Sequence, residues 1–329
     1  MAFRLSPVWW PVLAAASPVL APLIAVRNRR FRSNRDRASE VNEQRIARAE
    51  KLDLPAVREL EVTVVVEERA TEGFAHDPGV SYLLTTDLGR VLFDVGFGPQ
   101  NPTLGHNAKL LGVSLDGVDG LAISHLHLDH MGGLSASRAR SVRVSPELGS
   151  PQGKPCFLPD RASAPGFEPV IVDRPRALVP GIASTGPLAR SLFFMGWTEE
   201  QALLVRVEGK GLVVIAGCGH QTMPTLMRMV RALSDEPLHA FVGGVHMPVT
   251  RGRGAYAGIQ VQCFLGTGKA PWERIGEADV AEAMDAFQNA GLQRLLLSAH
   301  DSCDHALGLF SSGMGVPVEV LEAGQRYRI

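Results

Sequence analysis

The chain has 329 residues, with 33 Lys and Arg against 34 Asp and Glu and a formal net charge of −1. Apolar residues make up 45% and charged residues 20%, which excludes a disordered chain. The near-neutral balance argues against a nucleic-acid binder, which needs a net basic face. Four scattered cysteines with no CxxC pair (Cys156, Cys218, Cys263, Cys303) are too few for a disulfide scaffold.

The charge is unevenly spread. Residues 1–37 hold seven Arg and one Asp, hence +6, which leaves −7 for residues 38–329. Residues 5–26 carry no charge. As a helix they would reach roughly 33 Å, the depth of a bilayer core. Trp9 and Trp10 stand near the start, where aromatic rings favour the membrane interface, and Arg27, Arg29, Arg30, Arg32, Arg35 and Arg37 follow at once. The positive-inside rule then puts the C-terminal side in the cytoplasm. A cleaved signal peptide fits poorly, because only Arg4 precedes the apolar run. Pro7, Pro11, Pro18 and Pro22 count against a simple spanning helix. Two readings stay open: a spanning or interfacial membrane anchor, or an apolar arm packed on a soluble cytoplasmic protein. The chain divides into this arm (1–37), a polar helix and linker (38–59) and a body (60–329).

Short β-rich runs mark the body at 61–67, 80–86, 90–95, 121–124, 202–207, 211–216, 240–243, 294–298 and 316–321. Residues 224–233, with Leu226, Met229, Val230 and Leu233, have helical spacing. So do Val280, Met284 and Phe287, with Gly291 as the stop. This order suggests sheet layers covered by helices. Residues 135–187 and 247–272, rich in Gly, Pro and Arg, read as long loops beside a site.

The chemistry concentrates in His125-Leu126-His127-Leu128-Asp129-His130-Met131-Gly132-Gly133, where three His and one Asp fall within six residues behind a strand. Alternation puts His125 and His127 on one side, and the glycines allow close backbone approach. Imidazole and carboxylate suit zinc and related metals.

This HxHxDH pattern resembles the metallo-β-lactamase-fold superfamily. Leu92-Phe93-Asp94-Val95-Gly96, Gly217-Cys218-Gly219-His220, Gly243-Gly244-Val245-His246 and Ser298-Ala299-His300 are similar to further segments of it. They point to a branch that includes archaeal dihydropterin–ribofuranosylaminobenzene phosphate synthases. The resemblance covers about residues 60–329 and implies an α/β fold, an αββα sandwich with a metal site at one edge. It implies His125 and His127 on one metal, and Asp129, His130 and His300 on a second. No His lies between His130 and His220, so the usual third ligand of the first site is absent near residues 184–186, and His220 is expected to fill it. Cys218 stands where the superfamily commonly has a bridging Asp. It reads as a buried neighbour of the ligands, with a soft-ligand role as the competing reading. Asp94 is expected to orient ligands. His246 could be a ligand, a substrate contact or a proton donor. Asp304 and His305 are rim candidates; His76, His106 and His239 are taken as structural. Arg138, Arg140, Arg143, Arg251 and Arg253 are candidate anion contacts, with solvated surface the alternative.

The function expected is hydrolysis of a small-molecule ester, lactone or phosphoester by metal-bound hydroxide, oriented by Asp129 with His246 as acid. The cofactor is zinc, two ions per chain, with iron or manganese as alternatives. The rival readings are a metal-dependent condensing synthase acting on a phosphorylated pterin-like substrate, and a non-catalytic metal-binding membrane protein.

Overall fold

The computed structural model describes residues 5–252 and 255–329; Arg4 and Arg253 lie outside them. The chain opens with one long helix, α1 (Trp10–Ala47), which crosses the arm–linker boundary at residue 37 without a break. Pro11 falls in its first turn, where a missing N–H costs nothing, whereas Pro18 and Pro22 lie inside it. Strands β1 (Leu60–Val66), β2 (Ser81–Thr86), β3 (Arg90–Phe93), β4 (Gly120–Ala122), β5 (Pro155–Leu158) and β6 (Glu168–Ile171) follow. Helices α2 (Thr103–Leu111), α3 (Leu128–Met131) and α4 (Leu134–Ala139) come between β3 and β5. The second half holds β7 (Arg176–Val179), β8 (Ile182–Leu192), β9 (Gly196–Val207), β10 (Gly211–Ala216), α5 (Met223–Leu233) and β11 (Leu238–Gly243). A two-residue hairpin, β12 (Ala255–Tyr256) and β13 (Ile259–Gln260), precedes α6 (Glu277–Asn289), β14 (Arg294–Leu297), α7 (Asp304–Gly313), β15 (Val318–Val320) and β16 (Arg326–Arg328).

Two seven-stranded sheets form, in the orders β16-β1-β2-β3-β4-β5-β6 and β15-β14-β11-β10-β9-β8-β7. Between them lies a core that includes Val62, Val64, Leu84, Phe93, Val205, Val213, Ile215, Val242 and Leu296. Leu83, Leu92 and Leu121 face outward onto Leu104 and Ala108 of α2. On the other side Val214 and Phe241 pack under Leu226, Phe287 and Phe310 of α5, α6 and α7. The αββα sandwich expected from the resemblance is therefore present. Strands β10, β11, β14 and β15 run parallel. They read as continuous apolar runs because both faces of a parallel sheet are covered.

The stretch 135–187, expected to be loop, instead holds α4, β5, β6, β7 and the start of β8. Prolines hid these strands: Pro155 takes the first position of β5, and Pro169 sits on the edge strand β6, both places where a missing N–H is tolerated.

The two halves of α1 differ. Phe31, Ala38 and Asn42 are buried. Asn42 exchanges hydrogen bonds of 2.9 and 2.7 Å with the Ala189 backbone of β8, and Arg45 pairs with Glu199 of β9 at 2.6 Å. The first half leaves Trp10, Val12, Leu13, Val19, Leu23, Ile24 and Val26 exposed, as is Val8 just ahead of it. By length and composition it is apolar enough to cross a membrane, and none of its apolar window is buried. Its leading end meets the hairpin: Ser6 N–H donates to Gly258 O and Trp9 Nε1–H to Ala257 O, both at 2.9 Å.

Candidate metal centre

Every candidate ligand stands just past the C-terminal end of a strand, and these ends share one edge of the sandwich. Asp94 follows β3, His125 to His130 follow β4, Cys218 and His220 follow β10, His246 follows β11 and His300 follows β14. After β4 the chain bends at Ser124 and again at Leu126 and His127, then enters the single helical turn α3. Gly132 ends that turn at φ 110°, and a Cβ there would collide with the Arg143 carbonyl oxygen. The dense HLHLDHMGG spacing is thus a strand end, a tight turn and a glycine that lets backbone pass.

Two main ligand groups form, each with its donor atoms within 4.8 Å of one another: His125, His127 and His220; and Asp129, His130, Cys218 and His300; a third, Cys218, His220 and His246, overlaps both. His220 closes on His125 and His127, with ring centroids 4.9 and 5.0 Å away. The Cys218 Sγ lies 3.1 Å from His130 Nε2 and 3.0 Å from His300 Nε2. Here the structure differs from the reading of Cys218 as a mere buried neighbour: its sulfur stands among the donor atoms. Loop 217–220, held from below, brings it there. The Gly219 and His220 N–H groups donate to the buried Glu200 at 2.8 and 2.7 Å.

The hydrogen-bond partners fix which nitrogen each ring presents. Asp94, fully buried, accepts from His130 Nδ1 at 2.7 Å and from Ser124 Oγ at 2.6 Å. With its proton so committed, Ser124 Oγ accepts from His125 Nδ1 at 2.9 Å. A second relay serves His300: its Nδ1 meets Ser298 Oγ, which donates to the buried Glu67 at 2.7 Å. His220 Nδ1–H donates to Gly266 O at 2.9 Å. Four rings therefore turn Nε2 lone pairs inward, and Thr198 Oγ1 takes His127 Nε2 at 3.2 Å, leaving Nδ1. The Nε2 atoms of His125 and His220 are buried without a hydrogen-bond partner. Buried acceptors facing one another without a donor are costly, and a cation resolves that cost; the residues present fit a metal.

The protonation states of five rings agree, whereas His130, despite its burial, is raised well above the ordinary imidazole value by Cys218, Asp129 and Asp94 around it. Burial, then the neighbouring rings, hold His125 and His220 well below the ordinary imidazole value. Burial lowers His127 and His246 to about 4 and His300 to about 3. All five are neutral at neutral pH, the form that binds metal. Burial alone would raise the Asp129 carboxyl, but His130, His300 and His127 hold it well below the usual carboxylate range.

His246 adopts φ 50°, and its backbone N–H donates to the buried Asp301 at 3.1 Å. Its Nε2 faces Leu265 O at 3.3 Å, and its Nδ1 is buried without a partner, grouped with Cys218 and His220. A cleft of about 240 Å³ opens over His127, Asp129, Cys218, His220, His246 and His300. Its walls are apolar: Pro78, Phe97, Leu128, Met195, Val261 and Leu265. The stretch 247–272 supplies the last two, so it covers the site as its composition suggested.

No arginine lines this cleft among the described residues, so Arg138, Arg140, Arg143 and Arg251 do not reach it. Arg140 pairs with Asp160 on the surface at 2.7 Å. Asp304 pairs with Arg69, and His305 with Glu277, each at 2.8 Å and away from the cleft. His76, His106 and His239 belong to neither ligand group. Sequence reasoning missed Glu67, Glu200 and Thr198. No motif marks them; a carboxylate inside an apolar strand pattern, as at Glu67, was the available signal.

Residues 75–145 match the model of the Metallo-beta-lactamase superfamily. The matched segment holds the HxHxDH run, His125 to His130. The metallo-β-lactamase fold implies divalent metal binding, in keeping with the two ligand groups. A solved metal-dependent hydrolase of the β-lactamase superfamily superposes with a TM-score of 0.57 at 20% identity, covering 82% of this chain and 99% of that one. The metallo-beta-lactamase fold protein YhfI from Bacillus subtilis gives 0.51 at 15%, covering 83% and 100%. A curated relative, 7,8-dihydropterin-6-methyl-4-(beta-D-ribofuranosyl)-aminobenzene-5'-phosphate synthase of Methanocaldococcus jannaschii, is 23% identical over 238 residues, 60% of this chain and 80% of that protein.

Proposed function

We propose that the chain is a metal-dependent hydrolase of an ester, lactone or phosphoester, with two zinc ions per chain. His125, His127 and His220 would hold one ion, and Asp129, His130, Cys218 and His300 the other. The observation that carries this reading is the inward set of unpaired imidazole nitrogens beneath an open cleft. A purely structural zinc site is closed by protein ligands, whereas a catalytic one keeps an open position. Bound metal would supply an acidified water at neutral pH and polarise the substrate oxygen. Asp129, 24% exposed at the cleft floor, would orient that water. His246, with Nε2 turned to Leu265 O, offers Nδ1 to take a proton and return it to the leaving oxygen. Residues 5–26 would attach the protein to a membrane surface rather than span the bilayer, since Ser6 and Trp9 at their start are bonded to the body, and the Arg27–Arg37 cluster would meet anionic headgroups of the cytoplasmic leaflet.

The test is turnover of esters, lactones and phosphodiesters in oxygen-18 water. Hydrolysis predicts one labelled oxygen per bond cleaved, in the acyl or phosphoryl product and not in the alcohol, lost on chelation and in His127→Ala. The curated synthase relative favours a second reading, condensation of two substrates, in which product carries no label from water.

A further inference from the structure

Two hollows meet at one side chain. The first is the cleft over the ligands. The second is a groove of about 610 Å³ between α1 and the β8–β9 turn, walled by Leu23, Ile24, Val26, Phe31, Phe193 and Phe194. Met195 lines both. The turn is pinned to the helix: Arg27 donates to the Phe193 and Phe194 carbonyls, and Phe31 packs on Phe193 with centroids 5.4 Å apart. Phe194 and Met195 are nonetheless exposed, 40% and 37%, beside the uncovered apolar half of α1.

We infer that the substrate is an amphiphile drawn from the bilayer. Its hydrolysable ester or phosphoester head reaches the ligand cluster, and one long alkyl chain runs past Met195 into the α1 groove. This rests on the hydrolase reading above. Three observations support it. The cleft walls are apolar and carry no cationic side chain among the described residues, so beyond the one headgroup held at the metal-binding floor a soluble polyanion would find no counter-charge there. The groove joins the cleft to the part of the chain whose composition suits a bilayer. Arg27 and Arg30 border that groove at the level where anionic headgroups would lie. The occupant is the substrate's own tail, since the groove leads to the reacting centre.

The test uses the zinc-loaded full chain in lipid nanodiscs and a dodecyl phosphate bearing a photoreactive diazirine near the chain end. Cross-links are expected in peptides holding residues 23–31 and 192–196. Unlabelled dodecyl phosphate should compete at least about tenfold better than butyl phosphate, because each buried methylene adds to affinity. Chelating the zinc should cut the groove labelling about tenfold, since it frees the head. Ile24→Glu, in the groove wall, should abolish the labelling. Val19→Glu, exposed on α1 outside the groove, should not. Cross-links spread evenly along residues 7–26, labelling indifferent to zinc, or a groove left unlabelled because a second copy fills it would each overturn the inference. Absence of oxygen-18 from product would sink the hydrolase reading and leave this labelling pattern intact.

Discussion

Asp94 sets two imidazoles at once, His130 directly and His125 through Ser124. It does so at φ 61°, a left-handed conformation that aspartate tolerates better than most residues. Asp94→Asn keeps that conformation, but with its carbonyl oxygen at the Oδ2 position its NH2 faces the Ser124 backbone N–H, which Oδ1 of the aspartate accepts at 2.6 Å. Metal affinity should fall about 10–100-fold while circular dichroism stays unchanged; unaltered affinity in a zinc titration would remove Asp94 from the site. The histidines also make stability depend on pH. With burial holding His127, His246 and His300 at about 4, 4 and 3, the unfolded chain binds protons through about 6.5 and the folded chain does not until lower pH. Stability of the chelated protein should therefore drop as pH falls from about 6.5 to about 4. A melting temperature flat across that window would contradict the buried, neutral cluster. His125 to His130, Cys218, His220 and His300 were legible in the sequence because dense spacing and strand ends are local signals. Glu67 and Thr198 were not, because their roles arise from residues over 70 positions away, nor was Glu200, whose partners Gly219 and His220 lie across a strand pairing that no local motif marks.

The stretch 247–272 acts as a cover tied down at both ends. Its base supplies Gly266 O to His220 and Leu265 O to His246, and Gln262 donates to His300 O. Its tip is bonded to Ser6 and Trp9 ahead of α1. Gly266 sits at φ 79°, where a Cβ would lie 2.5 Å from His246 Cε1 and 2.9 Å from His220 Cε1. Gly266→Ala should lift the cover and weaken metal binding at least about tenfold without unfolding the sandwich. Wild-type affinity in that variant would show that the cover does not brace the ligands. Composition placed this cover beside the site but could not give its contacts. In 135–187 the same Gly and Pro content misled, because edge strands and strand starts accommodate proline.

At the scale of the whole molecule, the net charge of −1 joins a basic apolar helix to a mildly acidic body. The seam is not at the charge boundary near residue 37, since Phe31, Ala38 and Asn42 are already buried against the domain. Removing residues 1–26 should release the protein from vesicles with its melting temperature within a few degrees of the full chain. Removing residues 1–37 also strips Phe31, and should cost about 3–5 kcal/mol, the range for losing a buried aromatic. Equal stability of the two truncations would mean that Phe31 contributes no packing. The central claim, that one sheet edge assembles a metal centre from strand ends far apart in sequence, is tested most directly by elemental analysis of the purified full chain. The account predicts two divalent ions per chain, falling to one in His300→Ala and lost from the first group in His127→Ala with the fold preserved. A folded chain that carries no metal and takes up no zinc would contradict it.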